Sequence, residues 1–149
     1  GIGYARYKNT GAWCAVVADV VTEERVKLRN LWMAADLGLV VHPDGTRNQL
    51  EGGALQAASW TLHEAARLSP QGIESRDWES YPIFGFSDMP PVTISLIDRP
   101  DSPSLGAGEC SCGPTAGAIA NAIEDALGLR MRTMPYTADA IMQAAQDAA

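Results

Sequence analysis

Two apolar, β-branched runs lie almost end to end near the start of this chain. Residues 13 to 21 read WCAVVADVV, and RVKLRNLWMAADLGLVV follows after only Thr22-Glu23-Glu24. In the second run Val26, Leu28 and Leu31 are interleaved with Arg25, Lys27 and Arg29. Strands this close, joined by a short polar link, pair most simply with each other, so the pattern predicts a β-hairpin. The link lacks Asn-Gly and leaves the turn type open. A half-buried hairpin needs other elements to cover its apolar face, and the rest of the chain must supply them.

The later segments can do so. His42-Pro43-Asp44-Gly45 reads as a turn, and a long helical pattern follows it. Leu50, Ala54, Leu55, Ala58, Leu62, Ala65 and Ala66 fall near one face of that helix. Thr46 with Gln49 has the spacing of a capping box. Gly52-Gly53 sits inside the helix, where each glycine costs up to about 1 kcal/mol relative to alanine, so a packing or ligand reason is expected. Residues 69–91 read as a long loop with aromatic anchors at Trp78, Tyr81, Phe84 and Phe86. VTISLID, 92 to 98, reads as a strand, and RPDSPSLGAGECSCG as a second irregular stretch. Pro114 suits the first position of a helix in which Ala116, Ile119, Ile123 and Leu127 share a face, with Gly128 as its C-cap. A last helix starts near Thr137 and carries Ile141, Met142 and Ala145. The predicted class is α+β: one domain over 1–149, with a short antiparallel or mixed sheet packed against a long glycine-containing helix and two C-terminal helices. No βαβ rhythm of a nucleotide-binding sheet is evident.

Net charge is −7, from 11 basic and 18 acidic residues, with no basic stripe, which argues against nucleic acid as a partner. No apolar run approaches the roughly 18–20 residues that span a bilayer. No secretory n-region/h-region signal opens the sequence. Gly1-Ile2-Gly3 lacks an initiator methionine and leads almost directly into strand-like sequence, so a processed or excised piece of a longer protein is expected. Three cysteines, an odd number, suit reduced thiols in a cytoplasmic setting; a signal carried by a preceding N-terminal segment would make it periplasmic.

The chemistry concentrates in SLGAGECSCGPTAGAIANAI, 104 to 123, where Glu109 stands between glycines and cysteines ahead of a helix. Cys110 and Cys112, with Cys14, His42 and His63, make a weak zinc pattern, because structural sites favour C-x₂₋₄-C spacing with paired second ligands. No protein metal ligands are therefore assigned, and small buried thiols are the simpler reading. Cys110 at a helix N-terminus could serve as a nucleophile, but neither histidine is tied to it as a base. The glycines suggest a phosphate cradle, yet the spacing of phosphate-binding motifs is absent and Glu109 would repel a phosphate. Glu109 itself is either a solvated loop acid beside the helix dipole or a functional base reached by a substrate across Gly106 and Gly108.

Three segments in order, AVVADVV…AADLGLVVHPDGTRNQLEGGALQAASWTLHE, SRDWESYPIFGFSDMPPVTISLIDRPDSPSLGAGE and GPTAGAIANAIEDALGLRMRTMPYT, resemble one family. It is the molybdopterin-binding large subunit of the xanthine dehydrogenase/aldehyde oxidase family, in its C-terminal part. The bacterial branch that includes isoquinoline 1-oxidoreductase is the nearest likeness. The pairing of NQLEGGALQ with GAGE…GPTAGAIANAI carries the resemblance. It implies that Glu109 is the general base beside the molybdenum, and that Gln49, Gly52, Gly53, Gly106, Ala107 and Gly108 lie against a molybdopterin cofactor in its dinucleotide form. For Gln49 this role competes with the capping box. Cys110-Ser111-Cys112 after the glutamate departs from the proline or small apolar residues common in relatives.

The resemblance further implies an oxidoreductase acting on an aldehyde or N-heterocycle with water as the oxygen source. Its partners would be the remainder of the large subunit and an iron–sulfur subunit. The family's upstream cofactor segments are missing from these residues, so the chain alone is expected to hold no cofactor and to be inactive. The alternative is a non-catalytic interaction or remnant domain working through loop 78–86. Either way an exposed apolar patch, or a homodimer that hides it, is expected.

Overall fold

The computed structural model describes residues 1–9 and 11–148. Strands β1 (Ile2–Arg6), β2 (Trp13–Thr22), β3 (Val26–Asp36) and β6 (Val92–Ile97) form one sheet in the order β1-β2-β3-β6. The first three pair antiparallel, while β6 runs parallel to β3. Between β3 and β6 lie helix α1 (Pro43–Leu62) and a two-stranded ribbon of β4 (Leu68–Ser69) and β5 (Gly72–Ile73). Helices α2 (Cys112–Leu127) and α3 (Ala138–Asp147) complete the chain. The α+β class, the hairpin, the glycine-containing helix and the two C-terminal helices agree with the sequence expectation. The absence of a repeating βαβ rhythm agrees too, although β3, α1 and β6 make one parallel crossover within this mixed sheet. The long irregular stretch between α1 and β6 hides that unit in the sequence.

The hairpin alternates strictly, with one interruption. Cys14, Val16 and Ala18 of β2 point inward, as do Val26 and Leu28, then Leu31, Met33 and Ala35 of β3. The shift from even to odd positions is a β-bulge. Asp19 pairs with Asn30 and Val20 with Leu28, which leaves Arg29 as an extra residue. Without it every inward residue on one side of the bulge would flip to solvent. The Arg29 guanidinium donates to Asp19 at 2.9 Å across the irregularity.

Helix α2 covers β1 and β2 along two rows, Pro114-Ala118-Ala122 and Thr115-Ile119-Ile123, all buried. The first row meets β1 at its glycines. A Cβ on Gly3 would lie 2.0 Å from the Pro114 carbonyl oxygen, and one on Gly1 would lie 2.1 Å from Ala122 N. Two strand residues advance about 6.6 Å and four helix residues about 6 Å, so glycines at 1 and 3 keep pace with 114, 118 and 122. Helix α1 packs beside α2 and reaches the sheet at β6. Leu31, Leu50, Ile119 and Ile123 are fully buried where these layers meet, each contributing on the order of 1.5–3 kcal/mol.

Several local expectations are corrected. His42-Pro43-Asp44-Gly45 is the start of α1 rather than a separate turn: the His42 Nδ1 accepts from Gly45 N–H at 2.8 Å, and Pro43 at the first position has its φ preset. Thr46 is therefore inside the helix, and no capping box joins it to Gln49. Ala65 and Ala66 lie beyond the helix end. Helix α2 begins at Cys112, so Pro114 is its third residue. Gly128 does cap it, in the left-handed conformation with φ 69°. Leu127 and, on α3, Met142 and Ala145 are exposed, whereas Ile141 packs on the core edge. Of the aromatic anchors only Phe84 is buried. Its N–H donates to Ser59 Oγ at 2.9 Å, and Tyr81 donates to Glu64 at 2.9 Å. Trp78 and Phe86 are 75% and 95% exposed, so they anchor nothing here.

Candidate functional site

The loop from β6 to α2 is fastened in stages. Leu105 N–H donates to Leu37 O at 2.9 Å, and Gly38 at φ +66° accepts the close approach of Pro103 O. Only a residue without a Cβ fits both demands at Gly38. Gly106 then turns with φ +80°, in open space. Ala107 is half-buried against the core, and its carbonyl faces Cys110 Sγ at 3.5 Å. Cys110 and Ser111 drop into the interior, and α2 begins. This descent leaves Gly108 and Glu109 on the surface above the helix N-terminus.

Gln49 on α1 reaches that loop. Its Nε2 donates to the Gly108 carbonyl at 2.7 Å, across 59 residues of sequence. The NQLEGG segment and the GAGE loop are therefore joined directly, one residue from the carboxylate. Among the described residues this is the one hydrogen bond recorded for the Gln49 side chain, so the rest of the amide remains available. Replacing Gln49 by leucine is expected to cost about 1 kcal/mol and to speed amide hydrogen exchange across 106–109. Unchanged exchange would show that the loop does not depend on this bond.

Tyr7, just after β1, is the residue that sequence reasoning missed. Its hydroxyl donates to Glu109 Oε2 at 3.4 Å, and the ring end flanks Gly108. Nothing local in YKNTG signals this contact, which spans 102 residues.

The two α1 glycines part company. A Cβ on Gly53 would meet Ser111 Oγ at 2.5 Å and Cys112 Sγ at 3.5 Å, so Gly53 lets α1 and the start of α2 touch. Gly52 is exposed with nothing within 4 Å of a Cβ. Gly113, in the first turn of α2, is equally open. The structure thus brings together Gln49, Gly108 and Glu109, assigns Gly53 to helix packing, turns Ala107 toward the core, and leaves Gly52 and Gly106 unobstructed.

The thiols belong to the interior. Cys14 and Cys110 are 0% and 2% exposed. A hydrogen bond to Cys110, and then burial, push the Cys14 thiol well above its ordinary range. Burial, with the neighbouring Glu109 and Cys110 charges, pushes Cys112 up as well. Cys110 is too buried to attack an external substrate. Among the described residues no group of three His, Cys, Asp or Glu side chains is arranged to hold a metal ion. His63 lies elsewhere, edge-on to Phe84 with ring centroids 4.9 Å apart.

Burial holds the His63 imidazole below its ordinary value, aided by Arg25 and opposed by Asp88 and Glu64. The unfolded chain therefore binds a proton more readily there. This contribution to stability is complete above the unfolded value, about 6.5, and is lost as pH falls through it toward the folded one. The urea midpoint is expected to fall as the pH drops below about 6.5, and His63→Gln is expected to flatten that slope.

The site also passes a test of fit for a large polar cofactor. Open backbone at Gly106 and Gly113, an amide at Gln49 and a helix N-terminus suit a polar or anionic group lying against the chain. Ser111 Oγ, fully buried beneath them, has no hydrogen-bond partner among the described residues.

Known proteins resemble this chain over nearly all of its length. A nicotinate dehydrogenase polypeptide of Pseudomonas putida is 36% identical over 97% of the chain, which covers 13% of that relative. The beta chain of isoquinoline 1-oxidoreductase from Brevundimonas diminuta is 28% identical over 91% of this chain and 17% of its own length. The chain thus spans less than a fifth of these two relatives. The crystal structure of quinoline 2-oxidoreductase from Pseudomonas putida shares the fold, with a TM-score of 0.83, 23% identity and coverage of 91% of this chain and 19% of that one. Residues 3–90, more than half of the sequence, match the family described as the molybdopterin cofactor-binding domain; the match takes in Gln49 and ends before Glu109, and on it the chain belongs to that family.

Proposed function

We propose that this chain forms one wall of the active site of a molybdenum-dependent hydroxylase, with Glu109 as its general base. The observation that carries the reading is the hydrogen bond from Gln49 to Gly108, which ties the α1 segment to the loop and leaves Glu109 exposed above the start of α2. Gln49 would orient the pterin edge with the remainder of its amide. Gly52, Gly106 and Gly108 would let the cofactor approach the backbone closely, with the α2 N-terminus favouring its anionic dinucleotide portion. When bound, the molybdopterin would supply the redox chemistry, while these residues hold and orient it. Glu109 would take a proton from the attacking water-derived oxygen, and Tyr7 would hold one of its carboxylate oxygens in place.

The substrate class is an aldehyde or an N-heterocycle; the names of the two relatives above favour the heterocycle. The partners are the remainder of the large subunit and an iron–sulfur subunit, in the cytoplasm. The 149 residues alone are expected to bind no molybdenum and to have no turnover. Metal analysis and activity, measured on this chain and on the complete enzyme, test both halves. Stoichiometric molybdenum with activity on the chain alone would refute the one-wall arrangement. A complete enzyme free of molybdenum would refute the cofactor.

A second reading, a non-catalytic domain that associates through loop 78–86, draws on the exposure of Trp78 and Phe86. Full turnover in an enzyme carrying Glu109→Gln would favour it.

A further inference from the structure

The face of the sheet turned away from α2 is open, and it is apolar. Cross-strand register sets out its rows: Ile2, Val17, Trp32 and Thr93, then Tyr4, Ala15, Ala34 and Ser95, then Arg6, Trp13, Asp36 and Ile97. Ile2 is 62% exposed, Tyr4 64%, Val17 41%, Trp32 44% and Ile97 48%. An aromatic side chain presents about 150–250 Å², so Tyr4, Trp13 and Trp32 alone leave roughly 300 Å² uncovered. Ile2, Val17 and Ile97 extend this area; the largest apolar patch of a monomer, about 300–600 Å², is often functional, and larger ones mark interaction sites.

Charge is kept to the margin of this face. The chain carries 18 acidic residues, yet the two inner rows hold none. Asp36 at the margin is engaged by Arg99 at 3.3 Å, and Asp19 by Arg29 at 2.9 Å. Arg6 lies over the Trp13 ring, 4.8 Å from its centroid, and Tyr4 stacks on that ring at 5.4 Å. An uncharged centre with aromatic residues and a charged rim is the composition of a buried protein–protein contact. Cations already paired with carboxylates or seated on a ring are a poor match for an anionic lipid surface.

We infer that this outer sheet face is a docking surface for the remaining polypeptide of the large subunit, which covers it with an uncharged apolar layer. The inference rests on the proposed function for the existence of that polypeptide. The chain accounts for only 13% and 17% of the two relatives' lengths, so in such an enzyme most of the subunit remains to be placed. Glu109, Gln49 and α2 lie on the opposite side of the sheet, so the covering layer leaves the cofactor wall accessible.

Hydroxyl-radical footprinting read by mass spectrometry tests this on the chain alone and on the complete enzyme. Oxidation of Tyr4 and Trp32 is expected to fall at least tenfold in the enzyme. Equal oxidation in the two samples overturns the inference. Sedimentation of the chain alone, with Trp32→Arg and Val17→Asp as probes, examines a second copy. Both positions point outward, and circular dichroism checks that each variant is folded. A dimer abolished by either substitution assigns the face to self-association and overturns the inference. Flotation with phosphatidylglycerol vesicles that is lost in Trp32→Arg assigns it to lipid and overturns it likewise. Molybdenum content of the same enzyme reports separately on the cofactor: protection of Tyr4 and Trp32 without molybdenum would keep the docking surface and sink only the catalytic reading.

Discussion

In the complete enzyme, Glu109→Gln is expected to lower kcat/KM by at least about 100-fold while molybdenum content stays unchanged. Glutamine keeps the shape of the side chain and its acceptor oxygen toward Tyr7, and it removes the basicity. A positioned general base contributes about 10²–10⁴ in rate, which is roughly 3–5 kcal/mol of barrier. Loss of activity together with loss of metal would instead make Glu109 a binding group. Unchanged turnover would remove it from the mechanism altogether. Tyr7→Phe should have a much smaller effect, since the hydroxyl contact at 3.4 Å positions the carboxylate without taking part in proton transfer.

Gly3→Ala is expected to destabilise the fold by about 3 kcal/mol, read as a lowered urea midpoint with an unchanged slope. The added methyl would sit 2.0 Å from Pro114 O and 2.7 Å from Ala118 N, and neither backbone atom can rotate away. Helix α2 must shift outward, and the Glu109 loop is attached to its first turn. Gly52→Ala provides the contrast. It meets nothing within 4 Å in a helix, so a gain of about 0.5–1 kcal/mol is expected. A Gly3→Ala midpoint equal to that of the unaltered chain would show that β1 and α2 are not in backbone contact.

The hairpin was legible because its signal is local. Apolar residues recur at the strand period on both sides of a three-residue link, and no other partner is as close in sequence. The Arg29 bulge is also written there, as the change from Val26 and Leu28 to Leu31, but its meaning depends on knowing that both halves face one core. Helix α1 was legible in its middle and misread at its start, where His42-Pro43-Asp44-Gly45 has the composition of both a turn and a helix entry. Strand β1 was missed, because Ile2–Arg6 is short and its inward side holds glycine instead of a large apolar residue.

For the site, residue types pointed to Glu109 and Gln49, and the resemblance linked them to one cofactor. What each neighbour does came from contacts. Gly52 and Gly53 are adjacent and chemically identical, yet one faces solvent and the other Ser111. Helical rotation of about 100° per residue is enough to separate them.

Local sequence by itself determined the strand and helix periods, the αL cap at Gly128 and the presence of one acid between glycines. These are properties of a few consecutive residues, whose sterics and hydrogen bonding do not wait for the rest of the chain. Tertiary structure alone decided that β6 lies parallel to β3, that Gly3 admits the backbone of α2, and that Gln49 and Tyr7 meet the loop at Gly108 and Glu109. Each of those pairings spans from about sixty to more than a hundred residues of sequence. Its energy comes from surfaces that exist only once both partners have folded, so no single stretch of sequence encodes it.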